Sequence, residues 1–173
     1  MLNKSPENTD RLITNTAELL STLLSEAGYS TDPRKQRETI ASLQTGCRPS
    51  TNKSGADCYY FENGEWLPAE RKSCTNGEHI SGSYTGISVK STWEEQVLYL
   101  KSKIQAMGRH YYDRFDSSTG VLVESWYLTG EQVFDIILPM VKKSYPTTLN
   151  KADPRLSASV CMTKIKQYGT QVI

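Results

Sequence analysis

Residues 57–67 read DCYYFENGEWL, in which two aromatic-rich runs flank the dipeptide Asn63-Gly64. Both turn residues can adopt a positive φ, so the flanking strands keep their right-handed twist through the turn. A second segment of this kind covers residues 109–128, RHYYDRFDSSTGVLVESWYL, where Gly120 can take the left-handed position. The two segments predict two aromatic-rich β-hairpins in one antiparallel sheet.

Helical patterns precede and follow these segments. The first is an apolar stripe near the N-terminus that includes Leu20, Leu23 and Leu24 at three- and four-residue steps, with Gly28 placed to end the helix. A core helix is the simplest interpretation of this stripe. The alternative is a surface that forms a homodimer, since a continuous leucine stripe on a terminal helix can also pack between molecules.

Four later helix starts are indicated by short local signals. Two are Asp-Pro dipeptides, with Asp as the cap and Pro in the first turn, and two are capping boxes. Pro139 is expected to kink the third of these helices, which should end near Tyr145-Pro146, and the last should cover residues 154–168 before a closing edge strand in TQVI. The four starts are Asp32-Pro33, Ser91 with Glu94, Thr129 with Gln132, and Asp153-Pro154.

These patterns together predict an α+β fold, an antiparallel sheet of two aromatic-rich hairpins packed with about five helices. The length of 173 residues fits a single domain, residues 1–173. Its parts would be a helical N-terminal part (1–46), hairpins around a central helix (57–128) and a basic helical C-terminal part (129–173).

Charge is distributed unevenly along the chain. The whole protein carries a formal net charge of +1, but residues 139–173 hold six Lys and Arg against one Asp, a local net charge of +5. A helix–turn–helix in this segment would present basic side chains to nucleic acid, which gives a nucleic-acid-binding regulator as the alternative function. The residues expected to carry it are Lys142, Lys143, Arg155, Lys164 and Lys166.

The aromatic side chains of the two predicted hairpins suggest a different function. Alternation sends about half of each run to the core and leaves the rest facing outward. Exposed Tyr and Trp residues supply rigid contact area and are enriched in protein interfaces. We therefore expect a protein partner to bind there, with Tyr60, Trp66, Tyr112 and Trp126 as the candidate contacts.

Residues for catalysis or metal binding do not form a recognisable pattern. The sequence has none of the glycine-rich phosphate loops or the nucleophile-elbow motif, and His110 has no paired nucleophile in a signature context. The cysteines lack the short spacing of a structural zinc site, and the acidic residues near the second hairpin fit turn or solvent-facing positions better than a catalytic pair. We expect no enzyme activity, cofactor or metal. The residues weighed were Cys47, Cys58, Cys74 and His79 for zinc, and Asp113, Asp116 and Glu124 for acid–base catalysis.

The start of the chain, MLNKSPENTD, has no apolar stretch behind a basic flank, and no apolar run is long enough for a membrane helix. The expected location is the cytoplasm or the interior of a host cell, with free thiols rather than a Cys58–Cys74 bridge. The function expected from these observations is that of a non-enzymatic accessory or regulatory protein, of the kind carried by viruses, phages or mobile elements.

Overall fold

The computed structural model describes residues 18–30, 32–52, 55–75 and 79–173. Within these ranges, five helices and eight strands combine in an α+β fold, which confirms the predicted class. In chain order they are α1 (residues 18–26), α2 (Pro33–Gln44), β1 (Arg48–Pro49), β2 (Cys58–Glu62), β3 (Glu65–Cys74), β4 (Gly82–Ser88), α3 (Trp93–Gln105), β5 (Arg109–Phe115), β6 (Leu122–Thr129), α4 (Gly130–Thr148), β7 (Arg155–Val160), α5 (Met162–Tyr168) and β8 (Thr170–Gln171).

The strands form two sheets. Six strands lie in the order β1-β2-β3-β5-β6-β8, and β4 pairs with β7 in a separate two-stranded sheet. The pairs β2–β3 and β5–β6 are antiparallel. The prediction of a wholly antiparallel sheet is wrong, because β3 and β5 run parallel, with Ala69 opposite Arg109 and Lys72 opposite Tyr112. The segment between them, β4 and α3, provides the long crossover that parallel neighbours need.

Three of the four later helix starts follow the local signals closely. The Asp32 carboxylate accepts hydrogen bonds from two backbone N–H groups of α2, and Thr129 begins α4 with a complete capping box, as predicted. The capping box predicted at Ser91 lies one residue later. Thr92 caps α3, and its hydroxyl and backbone N–H are bonded to the backbone and carboxylate of Glu95.

The C-terminal segment departs most from the prediction. The helix expected over residues 154–168 is wrong, since its first half is strand β7 and only its second half is the short helix α5. Leu156, Ala158 and Val160 are buried at every second position, which is the period of a strand, and they pack beside β4. The closing edge strand expected in residues 170–173 is confirmed as β8, which pairs with β6.

Helix α4 is longer than predicted. It continues past Tyr145 to Thr148 and includes both Pro139 and Pro146. Tyr145 is buried, its hydroxyl donates to the carbonyl of Lys90 at 2.9 Å, and its ring makes an edge contact with Trp93. These tertiary contacts hold the last turns of the helix, which the prolines alone would be expected to weaken.

The larger sheet has two different faces. The inner face carries Tyr112 and Leu128, and α3, α4 and the β4–β7 sheet cover it to form the main apolar core. The outer face carries Tyr111, Asp113 and Phe115, and α2 covers part of it, with Ala41 packed near Phe115. Consecutive residues of β5 therefore enter two separate buried environments.

Helix α1 is only partly packed in the described residues. Leu24 is buried, whereas Leu19, Leu20 and Leu23 are exposed. The N-terminal part of the predicted leucine stripe lies outside the described residues. In the part of the chain that the structure describes, no helix has the length and apolar character needed to cross a membrane.

Candidate interaction site

An exposed aromatic pair lies at the end of the β2–β3 hairpin. Phe61 and Trp66 are cross-strand partners, with ring centroids 5.2 Å apart and a tilt of 54°. Their exposed fractions are 58% and 46%. The turn that joins the strands is Asn63-Gly64, whose φ values of 51° and 88° confirm the predicted turn. The hairpin therefore presents two rings in tilted contact to solvent at the end of a tight turn.

A shallow cleft adjoins this pair. It has a volume of about 310 Å³, and Trp66 forms one wall together with Tyr29, Tyr59, Arg48 and Pro49. Arg48 lies opposite Tyr59 in the β1–β2 pairing, so a cation stands at the edge of the apolar rings. We call Tyr59, Phe61, Trp66 and Arg48 the hairpin surface. Its mixture of aromatic rings and a guanidinium is the composition found at the centres of protein interfaces.

The four aromatic residues predicted as contacts do not share one exposed surface. Of these, Trp66 belongs to the hairpin surface, and Trp126 is half-buried. Tyr60 is 5% exposed and Tyr112 is 0% exposed, so neither faces solvent. The reason is the phase of the alternation: Tyr60 points to the opposite face from its neighbour Phe61, and Tyr112 points into the main core.

The buried aromatic residues of the outer face surround one arginine. The Arg109 guanidinium lies 4.2 Å from the ring centroids of both Tyr60 and Tyr127, and it pairs with the Glu62 carboxylate at 2.6 Å. Tyr111 also packs against Tyr127, at 5.7 Å between centroids. These contacts explain why the rings near β5 and β6 stay inside the fold: they form a cation–π stack that joins β2, β5 and β6.

A chain of neutral hydrogen bonds crosses the inner face. His110 Nε2 lies 2.9 Å from the carbonyl of Ile104, which can only accept, so this nitrogen carries the proton. Nδ1 then accepts from the Tyr84 hydroxyl at 3.0 Å, and the Tyr84 oxygen accepts from the Tyr112 hydroxyl at 2.9 Å. Burial lowers the pKa of His110 to about 4, so the ring is neutral near pH 7. His110 is a packed core residue.

A buried ion pair lies on the outer face. One guanidinium nitrogen of Arg71 donates to both carboxylate oxygens of Asp113, at 2.8 and 2.7 Å, and the two side chains are fully buried. Ser125 donates to the same carboxylate at 2.7 Å, Thr45 accepts from Arg71, and the guanidinium stacks 4.4 Å over Tyr111. The expectation that Asp113 faces solvent is wrong, because it shares the outer face with buried Tyr111.

Cys47 and Cys58 adjoin this ion pair. All four cysteines in the chain are free thiols. A hydrogen bond from Cys58, supported by others from Tyr111 and Thr45 and by the charge of Arg71, lowers the pKa of Cys47. The same contact and burial raise the pKa of Cys58. The arrangement favours a thiolate at Cys47, but Cys47 is itself buried, so a reagent would reach it only after local opening.

The basic residues of the C-terminal segment do not share a recognition helix. Lys142 and Lys143 lie on α4, Arg155 begins strand β7, and Lys164 and Lys166 lie on α5. Two of them are paired within the chain, Arg155 with Asp153 at 3.1 Å and Lys166 with Glu124 at 2.9 Å. The helix–turn–helix expected from the sequence is wrong, because a strand replaces the start of its second helix.

The acidic residues near the second hairpin have separate structural roles. Asp116 accepts the backbone N–H groups of Ser118 and Thr119 and so holds the turn, as predicted. The Glu124 carboxylate pairs with Arg114 and Lys166. Among the described residues, no group of three or more His, Cys, Asp and Glu side chains is arranged to hold a metal ion.

Sequence comparison adds no assignment to these observations. The chain matches no protein family, and no curated protein is significantly similar to it.

Proposed function

We propose that this protein is a non-enzymatic interaction protein that binds a polypeptide partner through the hairpin surface. The observation that carries the proposal is the exposed pair Phe61 and Trp66, whose rings are in tilted contact at the end of a tight hairpin. The expected partner segment is apolar, with an acidic or carbonyl group that meets Arg48. We also propose that the contact forms in the cytoplasm or a host-cell interior, since four free thiols suit a reducing compartment.

The hairpin surface supports binding for three reasons. Large rings already fixed by a cross-strand contact lose little side-chain entropy when a partner covers them. The adjoining cleft of about 310 Å³ offers a recess for one inserted side chain. Phe61 also points to the opposite face from Tyr60, so a partner can contact the exposed rings without disturbing the Arg109 stack. A small number of aromatic and arginine residues commonly provides most of the binding free energy of an interface.

Site-specific photocrosslinking in the native cell tests this proposal. A benzophenone amino acid replaces Phe61, and the matched control carries it at Leu98, an apolar α3 residue that is 69% exposed. We expect a discrete protein adduct from position 61, resistant to nuclease, and none from position 98. Adding Trp66→Ala should reduce the adduct about tenfold or more, which corresponds to about 1.4 kcal/mol of binding free energy.

Three outcomes would contradict the proposal. Equal adducts from positions 61 and 98 would mean that collision, rather than a site, produces the crosslinks. An adduct that nuclease removes would favour the nucleic-acid alternative, with bases stacked on the rings. An unchanged adduct in the Trp66→Ala variant would remove the aromatic pair from the interface. Adducts between two copies of the chain would identify a homodimer, for which the exposed leucines of α1 are the other candidate surface.

A further inference from the structure

A separate recess lies beside α2. It has a volume of about 360 Å³ and is bounded by α2, the end of β3 and the start of β4. Arg34 and Arg37 reach it from α2, Arg71 and Lys72 from β3, and Ser81 and Ser83 from either side of Gly82. We call these residues the basic cleft. It shares no residue with the hairpin surface.

The charges in the basic cleft are only partly balanced. Arg71 is paired with Asp113 and Lys72 with Glu70. Glu38 also lines the cleft, and it shares Lys35 with Asp57, at 2.6 and 2.7 Å. Within the described ranges, Arg34 and Arg37 have no carboxylate at salt-bridge distance. Arg34 and Arg37 are therefore two cations of the recess without an ion pair among the described residues, and Glu38 is the carboxylate that lines it.

Two buried donors point to what the cleft would bind. The Nε atoms of Arg37 and Arg71 are buried and have no hydrogen-bond acceptor in the part of the chain that the structure describes. Arg71 is 2% exposed, so its guanidinium is held in place by the fold. Buried donors of this kind are normally satisfied, because leaving one unpaired costs about 1–3 kcal/mol. An anionic ligand with several oxygens would supply an acceptor for Arg37 and charge for Arg34 and Arg37, whereas the fully buried Arg71 side chain fixes the wall of the cleft.

We propose that the basic cleft is a binding site for a small phosphomonoester, whose phosphate group lies between Arg34 and Arg37. A phosphate dianion matches the two unbalanced charges, and guanidinium groups bind its oxygens in a bidentate manner. The hydroxyls of Ser81 and Ser83 are further donors. The volume is near the lower end of the range for small-molecule sites, so the cleft has room for a group attached to the phosphate, such as a nucleoside.

The experiment uses the full chain and three probes: inorganic phosphate, adenosine 5′-monophosphate and adenosine. Isothermal titration should show saturable binding of the two phosphates and none of adenosine. The variant Arg34→Gln/Arg37→Gln should lose at least tenfold in affinity. The matched control is Arg155→Gln, an exposed arginine outside the cleft, and its affinity should equal that of the unmodified protein.

Thiol labelling locates the bound phosphate independently. Cys74 lines the basic cleft, whereas Cys161 is exposed and does not line it. Saturating phosphate should slow alkylation of Cys74 and leave that of Cys161 unchanged. If Arg37→Gln disturbs folding, Arg34→Gln alone serves as the test, since Arg34 is exposed and its side chain has no hydrogen bond among the described residues.

Two results would overturn the proposal. One is the absence of saturable phosphate binding at millimolar concentration. The other is a phosphate affinity that stays equal to that of the unmodified protein in the folded Arg34→Gln/Arg37→Gln variant, or in the folded Arg34→Gln variant alone. Both results would leave the hairpin surface untouched, because the two sites have no residue in common.

Discussion

The two faces of the larger sheet bury polar side chains in contrasting ways. On the inner face, His110, Tyr84 and Tyr112 form a chain of neutral groups, in which each hydrogen-bond donor meets one acceptor. On the outer face, Arg71 and Asp113 form a charged pair. His110, Tyr112 and Asp113 lie on the same strand, β5, so the contrast arises from alternation alone.

This contrast shows that the two networks depend on different conditions. The neutral chain requires one tautomer of one histidine, and acid removes it. The charged pair leaves a buried, uncompensated charge whenever one partner is lost. Lowering the pH should therefore destabilise the inner face, whereas replacing one partner of the ion pair should destabilise the outer face.

The largest effect is expected on the outer face. Asp113→Ala should reduce the free energy of unfolding by about 3–5 kcal/mol, because Arg71 would remain buried without a counter-charge. Urea unfolding measures this loss. The control Asp153→Ala removes an exposed carboxylate paired with Arg155 and should cost less than about 1 kcal/mol. The double variant Arg71→Met/Asp113→Leu should recover much of the loss, and a double variant no more stable than Asp113→Ala would refute this account.

The next effect is a pH dependence on the inner face. The folded protein keeps His110 neutral down to a pKa of about 4, whereas the unfolded chain binds a proton below about pH 6.5. The unfolded state thus binds more protons in this window, so stability falls as the pH falls from 6.5 to 4, by an amount on the order of 3 kcal/mol. The free energy of unfolding is measured against pH for the unmodified protein and for His110→Gln, and the difference between the two curves gives the contribution of His110. Parallel curves would show that His110 makes no such contribution.

The smallest effect compares two hydroxyls within the neutral chain. Tyr84→Phe leaves both the His110 Nδ1 acceptor and the Tyr112 hydroxyl without a partner, and should cost about 1–3 kcal/mol. Tyr112→Phe removes only the end of the chain and should cost less. Thermal unfolding of the two variants tests the order, and equal losses would mean that Tyr84 is not the central member.

Features determined by neighbouring residues could be predicted from the sequence. The Asn63-Gly64 turn and the caps at Asp32 and Thr129 are confirmed because each depends on contacts within three or four residues. Strand β7 could not be predicted in this way. Leu156 and Val160 are four residues apart, which also suits a helix, and the choice depends on pairing with β4, far earlier in the chain.

The candidate sites likewise depend partly on neighbouring residues and partly on contacts between distant ones. Of the hairpin surface, only Trp66 was among the predicted contacts, because a run of consecutive aromatic residues does not reveal which of Tyr60 and Phe61 faces outward. The Arg71–Asp113 pair joins residues 42 positions apart and leaves no local signal. The basic cleft is still harder to predict, since it unites α2, β3 and β4 only after the sheet has formed.

The parallel contact between β3 and β5 also bears on how the chain assembles. The β2–β3 and β5–β6 pairs join strands close in sequence, which lets each form within microseconds. The parallel contact must wait for β4 and α3, because closing that longer loop costs more entropy. During synthesis, β4 leaves the ribosome well before its sheet partner β7. Its backbone groups therefore stay unpaired until the C-terminal strand emerges, and the nascent chain is most exposed to misassociation in that interval.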